Sequence, residues 1–305
     1  DTYFTNINPA LDNVFYFSQD LRVFTVTPGI NNAPVGNIGT PPQLNVANVS
    51  AQDPAAGFQY AQDLINYLNT NYNNPAGTDP FSLLPDQANA FTGDSSVTPY
   101  TFDFSNIFSP KIYSNYNFAI ARVRLKGSSG NQAQNMKVFF RLWTTQSPDT
   151  DYQPSSTYLS NLDSNGLPGS PLADSAKDTI PFFATGNYPG TNDYTPGGAN
   201  NRTITLSGSS TWAYFGCFLN VYDGGNIIDG QQIQYWLNGT HHCIVAQIAY
   251  DDAPIINSNG VTLSPENSDK LAQRNLQVTH SDNPGNLATH RIPQTFDIRP
   301  SQPTL

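Results

Sequence analysis

The stretch YNFAIARVRLKG, residues 116–127, alternates apolar residues with cations at a period of two. Successive side chains on a strand point to opposite faces, so Ala119, Ala121, Val123 and Leu125 share one face and Arg122, Arg124 and Lys126 the other. MKVFFRLWTT (136–145) repeats the pattern, with Met136, Val138, Phe140 and Leu142 inside and Lys137 and Arg141 outside. The intervening SSGNQAQN has the length of a hairpin connection, which predicts that the two strands pair. If they pair, Arg122, Arg124 and Arg141 point the same way and form a basic stripe. That stripe could meet Asp-rich loops of a neighbouring subunit or acids of its own chain.

Further runs read as strands: TIPFFAT (179–185), RTITLSG (202–208), WAYFGCFLNVYD (212–223), HCIVAQIAYDD (242–252), LAQRNLQVTHS (271–281) and ATHRIPQTFDIRPS (288–301). Near the start, NVFYFSQDLRVFTVTPG (13–29) predicts a strand pair closed by Pro28 and Gly29. One segment has helical periodicity. In DPAAGFQYAQDLINYLNTNY (53–72) Asp53 is the N-cap, Pro54 takes the first helical position, and Phe58, Ala61, Ile65 and Leu68 form an apolar stripe. Such a helix packs on a sheet or docks on a partner subunit. The expected organisation is an N-terminal extension, residues 1–109, with a strand pair and one helix, followed by a β domain, residues 110–305. A proline-rich insert, about 146–200, interrupts that domain and reads as a functional loop or an assembly surface.

Charge is scarce: 12% of the 305 residues are Asp, Glu, Lys or Arg, while 12% are aromatic. Solubility therefore rests on Asn, Gln, Ser and Thr, a composition common among extracellular β proteins. A net charge of −10 with 13 basic residues excludes a dense phosphate-binding patch and argues against a nucleic-acid partner. No apolar run approaches the roughly 18–20 residues of a transmembrane helix. The first residue is Asp1, which fits removal of a signal peptide and equally a trimmed chain.

Sites for chemistry are sparse. His241, His242 and Cys243 are all metal ligands, but neighbours on a strand diverge, and His280 and His290 have no fixed spacing to them. The better reading makes Cys243 a core residue beside Val245. Cys217 and Cys243 could form one bridge between strands, or pack as two buried thiols. Asp163, Asn165, Asp223 and Asp229 lie in glycine-rich turns that could hold calcium, although Asx turns explain them without an ion. Asp251 and Asp252 read as turn formers, and the GSS runs at 127–129 and 208–210 lack the strand–elbow–helix context of a hydrolase nucleophile. The expectation is a protein that is not an enzyme and has no cofactor. Phe139 and Trp143 share the outward face of their strand. There they could pack in a second core layer, contact another subunit, or stack on a sugar together with other aromatics such as Trp212 and Trp236.

The blocks NFAIARVRLKG, VFFRLW, YFGCFLNV, HHCIVAQIAYDDAPI, SDKLAQRNLQV and ATHRIPQTFDIRP, in that order, resemble an uncharacterised family of secreted bacterial proteins with immunoglobulin-like β-sandwich character. The resemblance covers about residues 110–305 and carries over no catalytic residue. It implies an all-β fold, an immunoglobulin-like or jelly-roll-type antiparallel β-sandwich. Together with the composition, it leads to the expectation of an extracellular or cell-surface structural protein that self-assembles into an oligomer, filament or surface layer. The proline-rich insert and the N-terminal strand are the expected subunit contacts, the latter by strand addition to a neighbour's edge. A carbohydrate-binding module using exposed aromatics is the alternative.

Overall fold

The computed structural model describes residues 20–34, 38–46, 53–84, 100–144, 179–182, 201–219, 227–228, 231–232, 242–252 and 271–275. These residues form a mainly β structure of antiparallel strands with one α-helix.

The first sheet has β4 (Tyr116–Lys126) at its centre, flanked by β1 (Leu21–Val26) and β8 (Ser210–Leu219). The second runs β12 (Leu271–Asn275), β11 (His242–Ala249), β5 (Gln132–Thr144), β6 (Thr179–Phe182), and β7 (Asn201–Thr205) also pairs with β5. Two short ribbons complete the set, β2 (Tyr100–Asp103) with β3 (Lys111–Ser114), and β9 (Ile227–Ile228) with β10 (Gln231–Gln232).

One apolar cluster joins the two sheets. Leu21, Val23, Ala119, Ala121, Val123, Phe215 and Cys217 from the first meet Met136, Val138, Phe140, Ile204, Ile244 and Ala246 from the second. The opposite face of the first sheet is also covered, by helix α1 (Pro54–Asn71). Phe58, Ala61, Leu64, Ile65 and Leu68 of α1 pack against Phe24, Phe118, Ile120 and Phe218. The first sheet is thus buried on both sides. That is why β4 is buried at every position from Tyr116 to Val123 and alternates with solvent only from Arg124 onward.

The helix begins where the sequence indicates. Asp53 accepts from the amides of Ala55 and Ala56, Pro54 opens the first turn, and the stripe residues Phe58, Ala61, Ile65 and Leu68 are all buried. Two glycines set the helix–sheet distance. A Cβ on Gly216 would come within 2.5 Å of the Ile120 Cδ1 atom, and one on Gly57 within 2.7 Å of the Phe218 ring.

The expected β4–β5 hairpin does not form. β4 hydrogen-bonds to β1 and β8, while β5 belongs to the other sheet and pairs with β11, β6 and β7. The connection at 127–131 instead crosses between sheets beside the β7–β8 connection. Gly127 donates to the Ser209 carbonyl, Gly130 to that of Leu206, and Leu206 to that of Asn131. Gly130, at φ 88°, makes the turn. Period two identifies each strand but not its partner, because a strand of either sheet has the same alternation.

Of the segment 13–29, residues 21–26 form a single strand, and residues 1–19 lie outside the described set. The 146–200 insert lies outside it too, apart from β6. The β2–β3 ribbon was not indicated by the sequence pattern.

Candidate functional site

Two features of the described residues stand apart from ordinary packing: a buried arginine node and an exposed apolar end.

Arg122 sits on the helix-side face of β4. Its Nε and Nη2 donate to Asp20 Oδ1 at 2.9 and 2.7 Å, and its Nη1 lies 2.5 Å from Asp79 Oδ1. The guanidinium stacks on Trp212 at 4.1 Å and Phe81 at 4.9 Å, and Arg22 lies over Phe81 at 5.2 Å. Burial works against the Arg122 charge, and the Asp20 and Asp79 carboxylates outweigh it, so its pKa stands above the ordinary arginine value. Arg22 moves the other way, lowered first by burial and then by Arg122. The node ties the start of β1, the turn at Pro80–Ser82 and the strands β4 and β8 together. It acts as an internal clamp.

Arg122 thus pairs with acids of its own chain, the second of the two roles the sequence allows. Arg124 is exposed, reaching Ser210 Oγ at 3.4 Å and stacking on Trp212 at 5.4 Å. The three-arginine stripe fails because Arg141 lies on β5, in the other sheet.

The side chains of Phe139, Arg141, Leu142 and Trp143 lie outside the described residues. Gln247 of β11, in register with the backbone of Phe139, is buried. Trp212 is half-buried under two guanidinium groups, and Trp236 lies outside the described residues.

Cys217 is buried in the cluster between the sheets. The Cys243 side chain, both side chains of the His241–His242 pair, His280, His290, and the Asp163, Asn165, Asp223 and Asp229 turns lie outside the described residues. Among the described residues no group of three or more His, Cys, Asp or Glu could hold a metal. Nor is any described helix long and apolar enough to cross a membrane. Asp251 and Asp252 form an exposed turn, and Asp251 accepts from Asn135 at 2.7 Å where β5 bulges. Asn135 takes a left-handed conformation there, which Asn tolerates better than most residues.

The edge of β8 is closed against strand addition along part of its length. The Asn69 side chain of α1 accepts from the Tyr214 amide at 3.0 Å and donates to its carbonyl at 2.7 Å, and Trp212 donates to the Asn73 carbonyl. A side-chain amide here takes the place of a neighbouring strand.

The exposed end is the β2–β3 hairpin. Its connection, FSNIFSP at 104–110, has no charged residue. Phe108 is 92% exposed, Ile107 74% and Phe104 62%, with Ile112 exposed beside them on β3. Each such side chain in water forgoes roughly 1.5–3 kcal/mol of burial. The loop is nonetheless built. Ser105 donates to Asp103 Oδ1, Phe108 to Asn106 Oδ1, and Ser109 to the Asn106 carbonyl. The hydrogen bond from Ser105 holds the Asp103 carboxyl below its ordinary range. At the base, Asn115 Oδ1 accepts from Thr101 and Thr27, fixing the ribbon to the end of β1. Ile30, also exposed, follows three residues after Thr27. Sequence reasoning missed this site because the alternation in YTFDFS is short and SNIFSP beyond it follows neither period. Its signal is three large apolar residues within an uncharged, turn-forming stretch.

Compared with protein-family models, curated proteins and solved structures, the chain matches none.

Proposed function

We propose that this chain is a secreted structural or interaction protein, built as an immunoglobulin-like or jelly-roll-type β-sandwich, that assembles with copies of itself at a cell surface or outside the cell. One observation carries the reading: Ile30, Phe104, Ile107, Phe108 and Ile112 stand exposed around one ordered ribbon and the turn tied to it. Large apolar side chains left in solvent on a built element mark a contact site in a folded protein. The cluster shared by the two sheets supports the sandwich. Secretion rests on composition.

The alternative, a carbohydrate-binding module, has less support, since arginines cover Trp212. Negative-stain microscopy of the purified chain tests the proposal. Regular oligomers, filaments or sheets are expected, and separate single-chain particles at high concentration would refute it. Retardation in a polysaccharide gel would favour the alternative.

A further inference from the structure

We infer that Tyr67 and Tyr72 are an oxidative cross-linking pair, joined as dityrosine within one chain when a haem peroxidase and hydrogen peroxide act on the folded protein. This modification goes beyond the self-assembly reading and does not depend on it.

The geometry places the reacting atoms together. Tyr67 lies near the end of α1, and Tyr72 caps it, its amide donating to the Leu68 carbonyl. Both hydroxyls donate to the Ile38 carbonyl, each at 2.6 Å, and the ring centroids are 6.0 Å apart. Hydroxyls that converge on one acceptor bring their ortho carbons toward each other, and tyrosyl radicals couple through those carbons. Gly39 leaves the room. A Cβ there would come within 2.8 Å of the Tyr67 hydroxyl and 3.5 Å of the Tyr72 hydroxyl, and its φ of 84° suits glycine.

Accessibility directs an outside oxidant to this pair. Both rings are half-buried, whereas Tyr60, Tyr113, Tyr116 and Tyr214 are buried. Tyr250 is half-buried too, but Tyr67–Tyr72 is the one tyrosine–tyrosine ring pair among the described residues. The single methionine, Met136, and Cys217 are buried, and sulfur oxidation follows exposure. The Arg122 and Arg124 guanidinium groups over Trp212 disfavour a radical cation there. In the reaction each phenol gives up one electron and its hydroxyl proton, and the two ortho carbons bond. The hydrogens on those carbons shift to the oxygens, restoring both phenols, and the peroxide takes up the two electrons and two protons and leaves as two waters. The Tyr72 carbonyl accepts from Tyr214 and the Asn73 carbonyl from Trp212, so the cross-link fixes the helix end that closes the β8 edge.

The test is oxidation of the dilute, folded full chain with a haem peroxidase and hydrogen peroxide, read by dityrosine fluorescence of the single-chain band and by peptide mass mapping. The unaltered chain should yield a product lighter by two hydrogens, with the link mapped between Tyr67 and Tyr72. Tyr67→Phe and Tyr72→Phe each leave the other hydroxyl on the Ile38 carbonyl, so both should keep the far-UV spectrum of the parent. Single-chain fluorescence should fall about tenfold or more in either, because only slower coupling between unaligned rings is left. Tyr250→Phe should leave it unchanged. A link mapped to other tyrosines, parent-level fluorescence in Tyr67→Phe, or no single-chain dityrosine would overturn the proposal. So would an equal yield of the same link in urea, which would trace it to nearness in sequence and not to the fold.

Discussion

Arg122 and two tyrosines show how single side chains set the balance in this interior. Replacing Arg122 with Met keeps much of the volume but removes the cation that faces Asp20, whose side chain is 14% exposed. Asp79, 46% exposed, remains close to solvent and adds little. The expected loss is about 2–4 kcal/mol in urea unfolding, shrinking when Asp20→Asn is added. Tyr60 and Tyr214 form an opposed pair. The Tyr60 hydroxyl is buried with no hydrogen-bond partner among the described residues, while that of Tyr214 donates to the Tyr72 carbonyl at 2.9 Å. Tyr60→Phe should be neutral or stabilising, and Tyr214→Phe should cost about 0.5–1.5 kcal/mol. Burial raises both pKa values above the ordinary 10.0. The unfolded chain therefore loses these protons first as pH rises through about 10, and stability must fall there, being intact below. The Tyr60→Phe/Tyr214→Phe variant should show a shallower alkaline decline in denaturation midpoint.

At the level of elements, the tightest constraint is the seat of α1 on β4 and β8. Gly216→Ala would drive a methyl group into Ile120 Cδ1 at 2.5 Å and Ile65 Cγ1 at 3.1 Å. It should destabilise by about 1–3 kcal/mol despite the general preference of strands for residues other than glycine, a difference that thermal unfolding would register. The helix was legible in the sequence because its cap, its proline and its stripe are all local signals. Most strands were legible for the same reason. Their pairing was not: β4 and β5 alternate alike, and only contacts between distant residues, such as Arg122 with Asp20 and Asp79, assign β4 to the sheet beneath the helix. Arg122 looked like a surface cation because its partners lie far away in sequence. The β2–β3 hairpin escaped notice because its alternation is short and the exposed Ile107 and Phe108 at its tip follow no core-facing rhythm.

On the scale of the whole molecule, the described residues direct their apolar groups to two layers of core, between the sheets and beneath the helix, and leave one hairpin end in solvent. That asymmetry is the basis for proposing assembly. Sedimentation velocity of the unaltered chain over a hundredfold concentration range tests it most directly. The account predicts a sedimentation coefficient that climbs with concentration from single chains to a closed dimer or larger assembly. One invariant, single-chain boundary across the whole range would contradict it.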